Sequence, residues 1–231
     1  MSPARKLKEL LQLRTEPVAV TFQAAPPPGV PRVSSSGPST CSYWKRAAGG
    51  ETFYTEAADH FNCPIGGYTH GVDLPAPQGK ELEGVLGTMF QLGYIKPEEV
   101  PGISRRAGGF GIAVYGPLGK TAGVPDIVLV VGNAKQMMLL SEAAQAAGVG
   151  GAGLMGRPTC AAIPHALQTG AGVASLGCIG NRVYTELGDD ELYYALPGKH
   201  LAAVVDKLAG IATANRELEK YHRARLASSP G

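Results

Sequence analysis

Ser175-Leu176-Gly177-Cys178-Ile179-Gly180-Asn181-Arg182-Val183-Tyr184 sets a cysteine directly before a short glycine-containing turn, with a tyrosine a few residues on. His60-Phe61-Asn62-Cys63-Pro64-Ile65-Gly66-Gly67-Tyr68 follows the same plan earlier in the chain. Each stretch is preceded at middle distance by another cysteine, Cys160 and Cys41 respectively, so all four cysteines fall into two pairs. This predicts a weak internal duplication: two α/β halves, about 1–118 and 119–231, inside a single domain 1–231, facing each other across one site.

The flanking sequence supports an α/β fold. Pro17–Phe22, Phe110–Tyr115, Asp126–Val131 and Glu191–Leu196 are apolar, β-branched or aromatic runs that read as strands. Short strands are expected at 52–55, 151–155 and 172–177. Helices are expected at 4–14, at 40–48 with Thr40 as N-cap, at 134–147, at 159–167 and at 199–219. Residues 79–92 carry Leu82, Val85, Leu86, Met89 and Phe90 at helical spacing, which predicts a helix facing the core. Strands alternating with helices predict a mixed sheet. Residues 24–39, rich in Pro, Ser and Gly, read as a long loop, and 228–231 as a frayed end.

Composition narrows the function. Hydrophobic residues make up 44% of the 231 residues, enough for a real core, and the formal charge is only +2. No basic block with interleaved aromatics occurs, so nucleic acid is not an expected partner. No run of 18 apolar residues occurs and the N-terminus has no signal pattern, so the protein is expected in the cytoplasm, off the membrane. In that reducing compartment four cysteines are more consistent with free, metal-bound or catalytic thiols than with disulfides. A homo-oligomer is compatible with the sequence.

Four thiolates satisfy tetrahedral zinc or a four-iron, four-sulfur cluster. The close Cys-x-x-Cys spacing is absent: Cys41 and Cys63 stand 22 residues apart, Cys160 and Cys178 18. Convergence of Cys41, Cys63, Cys160 and Cys178 on one metal therefore has to come from tertiary structure. Gly66, Gly67 and Gly180 would let backbone N–H groups approach such a group, with Tyr68 and Arg182 beside it. Against this stand two other readings. The thiols are inert and buried, or one is reactive. For a reactive thiol Cys178 is the better candidate, with Arg182 four residues on to lower its pKa or to hold an anion, unless Arg182 forms a surface salt bridge. His60, His70 and His165 lie near cysteines in sequence as candidate ligands or bases. Tyr43, Trp44, Phe53, Tyr54 and Tyr68 would line a flat pocket, or form core. The glycines of 148–153 follow a helix rather than a strand and do not make a dinucleotide loop.

Several of these residues together resemble a known family. They are Pro17-Val18-Ala19-Val20, Cys41, Cys63-Pro64-Ile65-Gly66-Gly67, Asp126-Ile127-Val128-Leu129, Gly156 with Cys160, Leu176-Gly177-Cys178-Ile179-Gly180-Asn181-Arg182, and Asp190-Glu191-Leu192 with Leu196-Pro197. The pattern is similar to that of the prokaryotic domain of unknown function 169. The resemblance implies one soluble domain of bacterial or archaeal type and carries no established activity. From the residues, two functions are expected. The first is a cytoplasmic Cys-ligated metal or iron–sulfur protein with a redox or cofactor-handling role and a redox partner. The second is a small-molecule enzyme or binding module with a reactive cysteine in an aromatic-lined pocket.

Overall fold

The computed structural model of the chain describes residues 1–151 and 153–228. Seven strands form one mixed sheet: β1 (Val18–Gln23), β2 (Phe53–Glu56), β3 (Ile112–Pro117), β4 (Ile127–Asn133), β5 (Leu154–Met155), β6 (Val173–Ser175) and β7 (Glu191–Pro197), in the order β2-β3-β1-β4-β7-β6-β5. Only β5 and β6 run parallel; the other neighbours are antiparallel. The predicted α/β class with a mixed sheet is what the chain adopts.

Side chains alternate across the pleat, so each central strand feeds two cores. On one face Val18, Val20, Ile127, Leu129, Tyr193 and Ala195 meet Tyr43, Trp44 and Ala47 of α2 (Thr40–Ala48) and Ile163 and Ala166 of α6 (Ala162–Thr169). On the other, Ala19, Val128, Val130, Tyr194 and Leu196 meet α1 (Pro3–Leu11), α5 (Ala134–Ala146) and α8 (Leu201–Ala227) through Leu7, Leu11, Leu140, Val204 and Leu208. The sheet is thus covered on both faces, which is why its central strands read as continuous apolar runs. No described helix is long and apolar enough to cross a membrane.

β1 and β4 pair at the middle of the sheet, Val20 opposite Ile127. Outward from β1 come β3 and β2; outward from β4 come β7 and β6. β3 and β7 each end in proline and run into a 3-10 turn, Leu118–Lys120 and Gly198–His200. Two further helices complete the pattern: α3 (Pro64–Thr69) follows Cys63, and α7 (Ile179–Thr185) follows Cys178. A strand, a helix, a strand, a short helix and a strand (β1, α2, β2, α3, β3 and β4, α6, β6, α7, β7) follow in both parts of the chain, with α1 and α4 (Ala76–Gln91) outside this order in the first and α5, β5 and α8 outside it in the second.

Three local expectations are corrected. The helix over 79–92 exists as α4, but none of its residues is buried, so it does not face the core. Ser39 rather than Thr40 caps α2, its hydroxyl accepting from the Ser42 N–H at 3.2 Å. The expected loop 24–39 is observed, and it is tied along β2, where Val33 N–H donates to Tyr54 O at 2.8 Å and Tyr54 N–H to Pro31 O at 2.9 Å. The last helix runs to Ala227, past the expected end at 219. Of the two other glycine-rich or terminal expectations, Ala152 and residues 229–231 lie outside the described residues.

Candidate functional site

Cys41, Cys63, Cys160 and Cys178 line one cavity of about 320 Å³ on the α2/α6 side of the sheet. All four thiols are free. Each sits where a helical turn starts. Cys41 is the second residue of α2, Cys160 lies in the 3-10 turn Thr159–Ala161 that leads into α6, and Cys63 and Cys178 immediately precede α3 and α7. The packing of Tyr43 and Trp44 against the sheet carries Cys41 inward with them. Cys41 and Cys160 are buried, Cys63 and Cys178 half-buried.

Polar groups around the sulfurs decide their proton affinities. The Cys41 thiol hydrogen-bonds to the Cys160 sulfur, and this, with burial, holds the Cys41 proton well above the usual thiol range. The same contact pulls Cys160 down. Burial opposes it, and the Thr69 hydroxyl and the N–H groups of Cys160 and Ala161 reinforce it. Cys63 is pushed up by burial and by the neighbouring Cys160 charge, against the N–H groups of Thr40 and Gly66 and the Thr40 hydroxyl. Asn181, only 2% exposed, lines the cavity close enough to Cys41 to favour a thiolate there, yet neither its Nδ2 nor its Oδ1 has a hydrogen-bond partner.

Two fully buried histidines stand behind the thiols. The Thr55 hydroxyl donates to Ala113 O at 3.3 Å, so its oxygen accepts from His60 Nε2–H at 2.9 Å, and His60 Nδ1 is left to accept from the Thr40 hydroxyl at 3.1 Å. Thr40 thereby joins Cys63 to His60. His70 Nδ1 faces Gly66 O at 3.0 Å and the Thr69 hydroxyl at 3.3 Å. A carbonyl only accepts, so Nδ1 carries the proton and Nε2 is a buried acceptor without a partner. Burial keeps both rings neutral: His60 titrates well below the usual histidine range and His70 is lowered to about 4. In the second half the Thr159 hydroxyl accepts from Cys178 N–H at 2.5 Å.

The other candidates separate clearly. Gly66 is tight against the site: a Cβ there would collide with the Thr40 side chain and stand 2.9 Å from Cys63 Sγ. Gly180 lines the cavity; Gly67 packs on Leu74 and His60 instead. Tyr68 lies under the Arg105 guanidinium, 4.9 Å from its ring centre, and does not reach the cavity. Arg182 neither faces the cavity nor pairs with a carboxylate. It donates to the carbonyls of Leu176 (2.5 Å), Gly188 (2.8 Å) and Glu191 (3.2 Å), clamping the turns around α7. Tyr43, Trp44 and Phe53 are core, with Trp44 edge-on to Tyr193 at 5.4 Å and Phe53 stacked on Tyr115 at 5.6 Å. The aromatic rings that do border the cavity are Tyr94 and Tyr184. His165 bonds to Ser104 at 2.9 Å and does not line the cavity.

Thr40, Thr69, Thr159 and Asn181 were not singled out from the sequence. A signal for three of them exists: Thr-Cys occurs at 40–41 and 159–160, and Tyr-Thr at 68–69 and 184–185. Among the described residues, no three of His, Cys, Asp and Glu form a group that would hold a metal ion as they stand.

Fold and site together define an α/β protein whose one mixed sheet carries a four-cysteine cavity on one face. The chain belongs to the family of the domain of unknown function 169, described as Uncharacterised ArCR, whose model matches residues 6–207. No curated protein and no solved structure matches it.

Proposed function

We propose that this protein binds an iron–sulfur cluster through Cys41, Cys63, Cys160 and Cys178 and has a redox or cofactor-handling role. The observation that carries the reading is the gathering of all four cysteines, far apart in sequence, on one cavity. Supporting it, the sulfurs face backbone N–H donors from Thr40, Gly66, Cys160 and Ala161, the kind of surroundings that stabilise cluster thiolates. The orphaned Asn181 amide beside Cys41 fits too, since a thiolate there would accept from it. A single zinc ion, with Zn–S bonds of about 2.3 Å, needs its sulfurs drawn into a tight tetrahedron. Among the described residues no three of His, Cys, Asp and Glu are grouped to hold a metal ion, so zinc and cluster alike require the thiols to draw together on binding.

We infer further that the halves arose by duplication, on the strength of their shared element order and the repeated Thr-Cys and Tyr-Thr pairs. Four free thiols suit a cytoplasmic location. A redox role calls for a partner that docks near the cavity, and a homo-oligomer remains compatible with this role.

Anaerobic purification followed by iron and acid-labile sulfide analysis tests the reading. About four of each per chain, with visible absorbance bleached by dithionite, is the expected result. Stoichiometric zinc without iron, or protein that takes up neither metal on reconstitution, would sink it.

A further inference from the structure

The cavity is built of two unlike walls. The cysteines occupy one; the other is α4, which turns Val85, Leu86 and Met89 toward the cavity. These side chains are only half-buried, and no residue of this 16-residue helix enters the core. A helix whose apolar stripe lines a cavity rather than the core leaves that stripe available to a ligand. The α4 wall offers no cysteine or histidine ligand to a metal, and the volume of about 320 Å³ falls at the low end of the roughly 300–1,000 Å³ typical of small-molecule sites.

Charge at the rim narrows the occupant. Arg157 borders the cavity with its guanidinium stacked on Tyr94, 4.9 Å from the ring centre. Its nearest carboxylate, Glu99 Oε1, is 3.8 Å away, too far for a hydrogen bond, and its side chain is 43% exposed. A guanidinium that lies over an aromatic ring and makes no hydrogen bond to Glu99 keeps donors available, and its planar fork can take a carboxylate bidentately. Glu81 of α4 also borders the cavity and disfavours a second negative charge on the occupant.

We propose that the cavity binds a small apolar monocarboxylic acid, its hydrocarbon or aryl body against Val85, Leu86 and Met89 of α4 and its carboxylate on Arg157. The site does not depend on the cluster, because α4 and Arg157 supply its contacts. Calorimetric titration of the anaerobically purified protein with octanoate and phenylacetate, against the neutral octanol and phenylacetamide, tests it. At least one acid should bind saturably and its uncharged counterpart at least tenfold more weakly. Arg157→Gln should erase that preference, and Arg157→Lys should keep part of it. Saturable binding by neither acid, or equal binding of acid and neutral analogue, would overturn the proposal, as would acid binding unchanged in Arg157→Gln of normal melting temperature. Should Arg157→Gln not fold, Leu86→Asp gives the same decision, since charge on the α4 wall must abolish binding if the body lies there. Cys160→Ser separates this site from the cluster: acid binding retained while iron is lost leaves the acid site standing, and acid binding lost with iron in this variant, at a normal melting temperature, counts against the α4–Arg157 site.

Discussion

The two cysteine pairs occupy matching places in the element order but different surroundings. In each half the first cysteine follows a threonine and is buried, and the second precedes a short helix and is half-buried. In each half, too, the threonine before the first cysteine touches the second: Thr40 reaches the Cys63 sulfur, and Thr159 accepts from the Cys178 N–H. The difference lies behind and above. The first half backs its pair with His60 and His70 and roofs it with α4; the second places Ile179, Val183 and Tyr184 of α7 at the surface beside Cys178. Both cysteine pairs line one cavity, closed on the α4 side and open beside α7. Cys41 and Cys160, whose sulfurs meet, are then the joint between the halves, and Cys178 is its outer edge.

The largest effect should come from breaking that joint. Cys41→Ser or Cys160→Ser is expected to remove essentially all iron from anaerobically purified protein. Cys178→Ser, at the open edge, should leave a measurable fraction in a cluster held by three cysteines. Iron content equal in all three variants would show that the buried and open positions are not distinct.

Acid should next distinguish the halves. His70 titrates near 4 in the folded chain against about 6.5 when unfolded, so between these values the unfolded state binds the extra proton. Stability contributed by the neutral ring is complete above pH 6.5 and is lost as pH falls toward 4, by roughly 3 kcal/mol at about 1.4 kcal/mol per unit. His60 acts in the same direction. Urea melts of His70→Phe should show a visibly flatter pH dependence over this window; an unchanged slope would mean that His70 is not the neutral buried group described here.

Much of this architecture was readable in the sequence. β1, β4 and β7 are buried on both faces, so their apolar runs announce themselves. The convergence of the cysteines was expected from their pairing alone. What the sequence concealed was direction. The stripe on α4 is a genuine helical stripe, but periodicity cannot say whether it meets core or cavity. Arg182 looked like a charge beside a thiol because only distance along the chain was visible; the three carbonyls it satisfies are assembled by the turns before and after α7. Thr40 and Thr69 gain their roles only once Cys63, His60, Cys160 and His70 are folded around them.

Two glycines sharpen the contrast at a smaller scale. Gly66→Ala places a methyl group against Thr40 and Cys63 and should cost about 1–3 kcal/mol, with iron content falling as Cys63 shifts. The Gly180 position has only Tyr184 Cε2 nearby, at 3.7 Å, and lies within α7. Gly180→Ala should be neutral or stabilising by about 0.5–1 kcal/mol through its helix propensity. Chemical denaturation of the two variants side by side decides this, and equal losses would remove the argument that the first half approaches its cysteine more closely.

The smallest effect concerns the ion pair that ties the halves at the surface. Lys45 of α2 holds Glu186, just after α7, at 2.6 Å, and Glu186 is 79% exposed. So exposed a pair contributes little, and less in salt. Glu186 also adopts the left-handed conformation, φ 55° and ψ 36°, where it ends α7. A non-glycine residue there costs roughly 1–2 kcal/mol, and glycine removes that cost while adding about 0.5–1 kcal/mol of backbone entropy to the unfolded chain. The two backbone terms favour glycine slightly and the lost ion pair opposes it at low ionic strength. Glu186→Gly should therefore be within about 0.5 kcal/mol of the parent protein in dilute buffer and become the more stable of the two in high salt, where the ion pair is screened. Melting both proteins across a salt series would show the crossing. A variant that loses stability steadily as salt rises would mean that Glu186 does more in holding α7 than its one exposed contact implies.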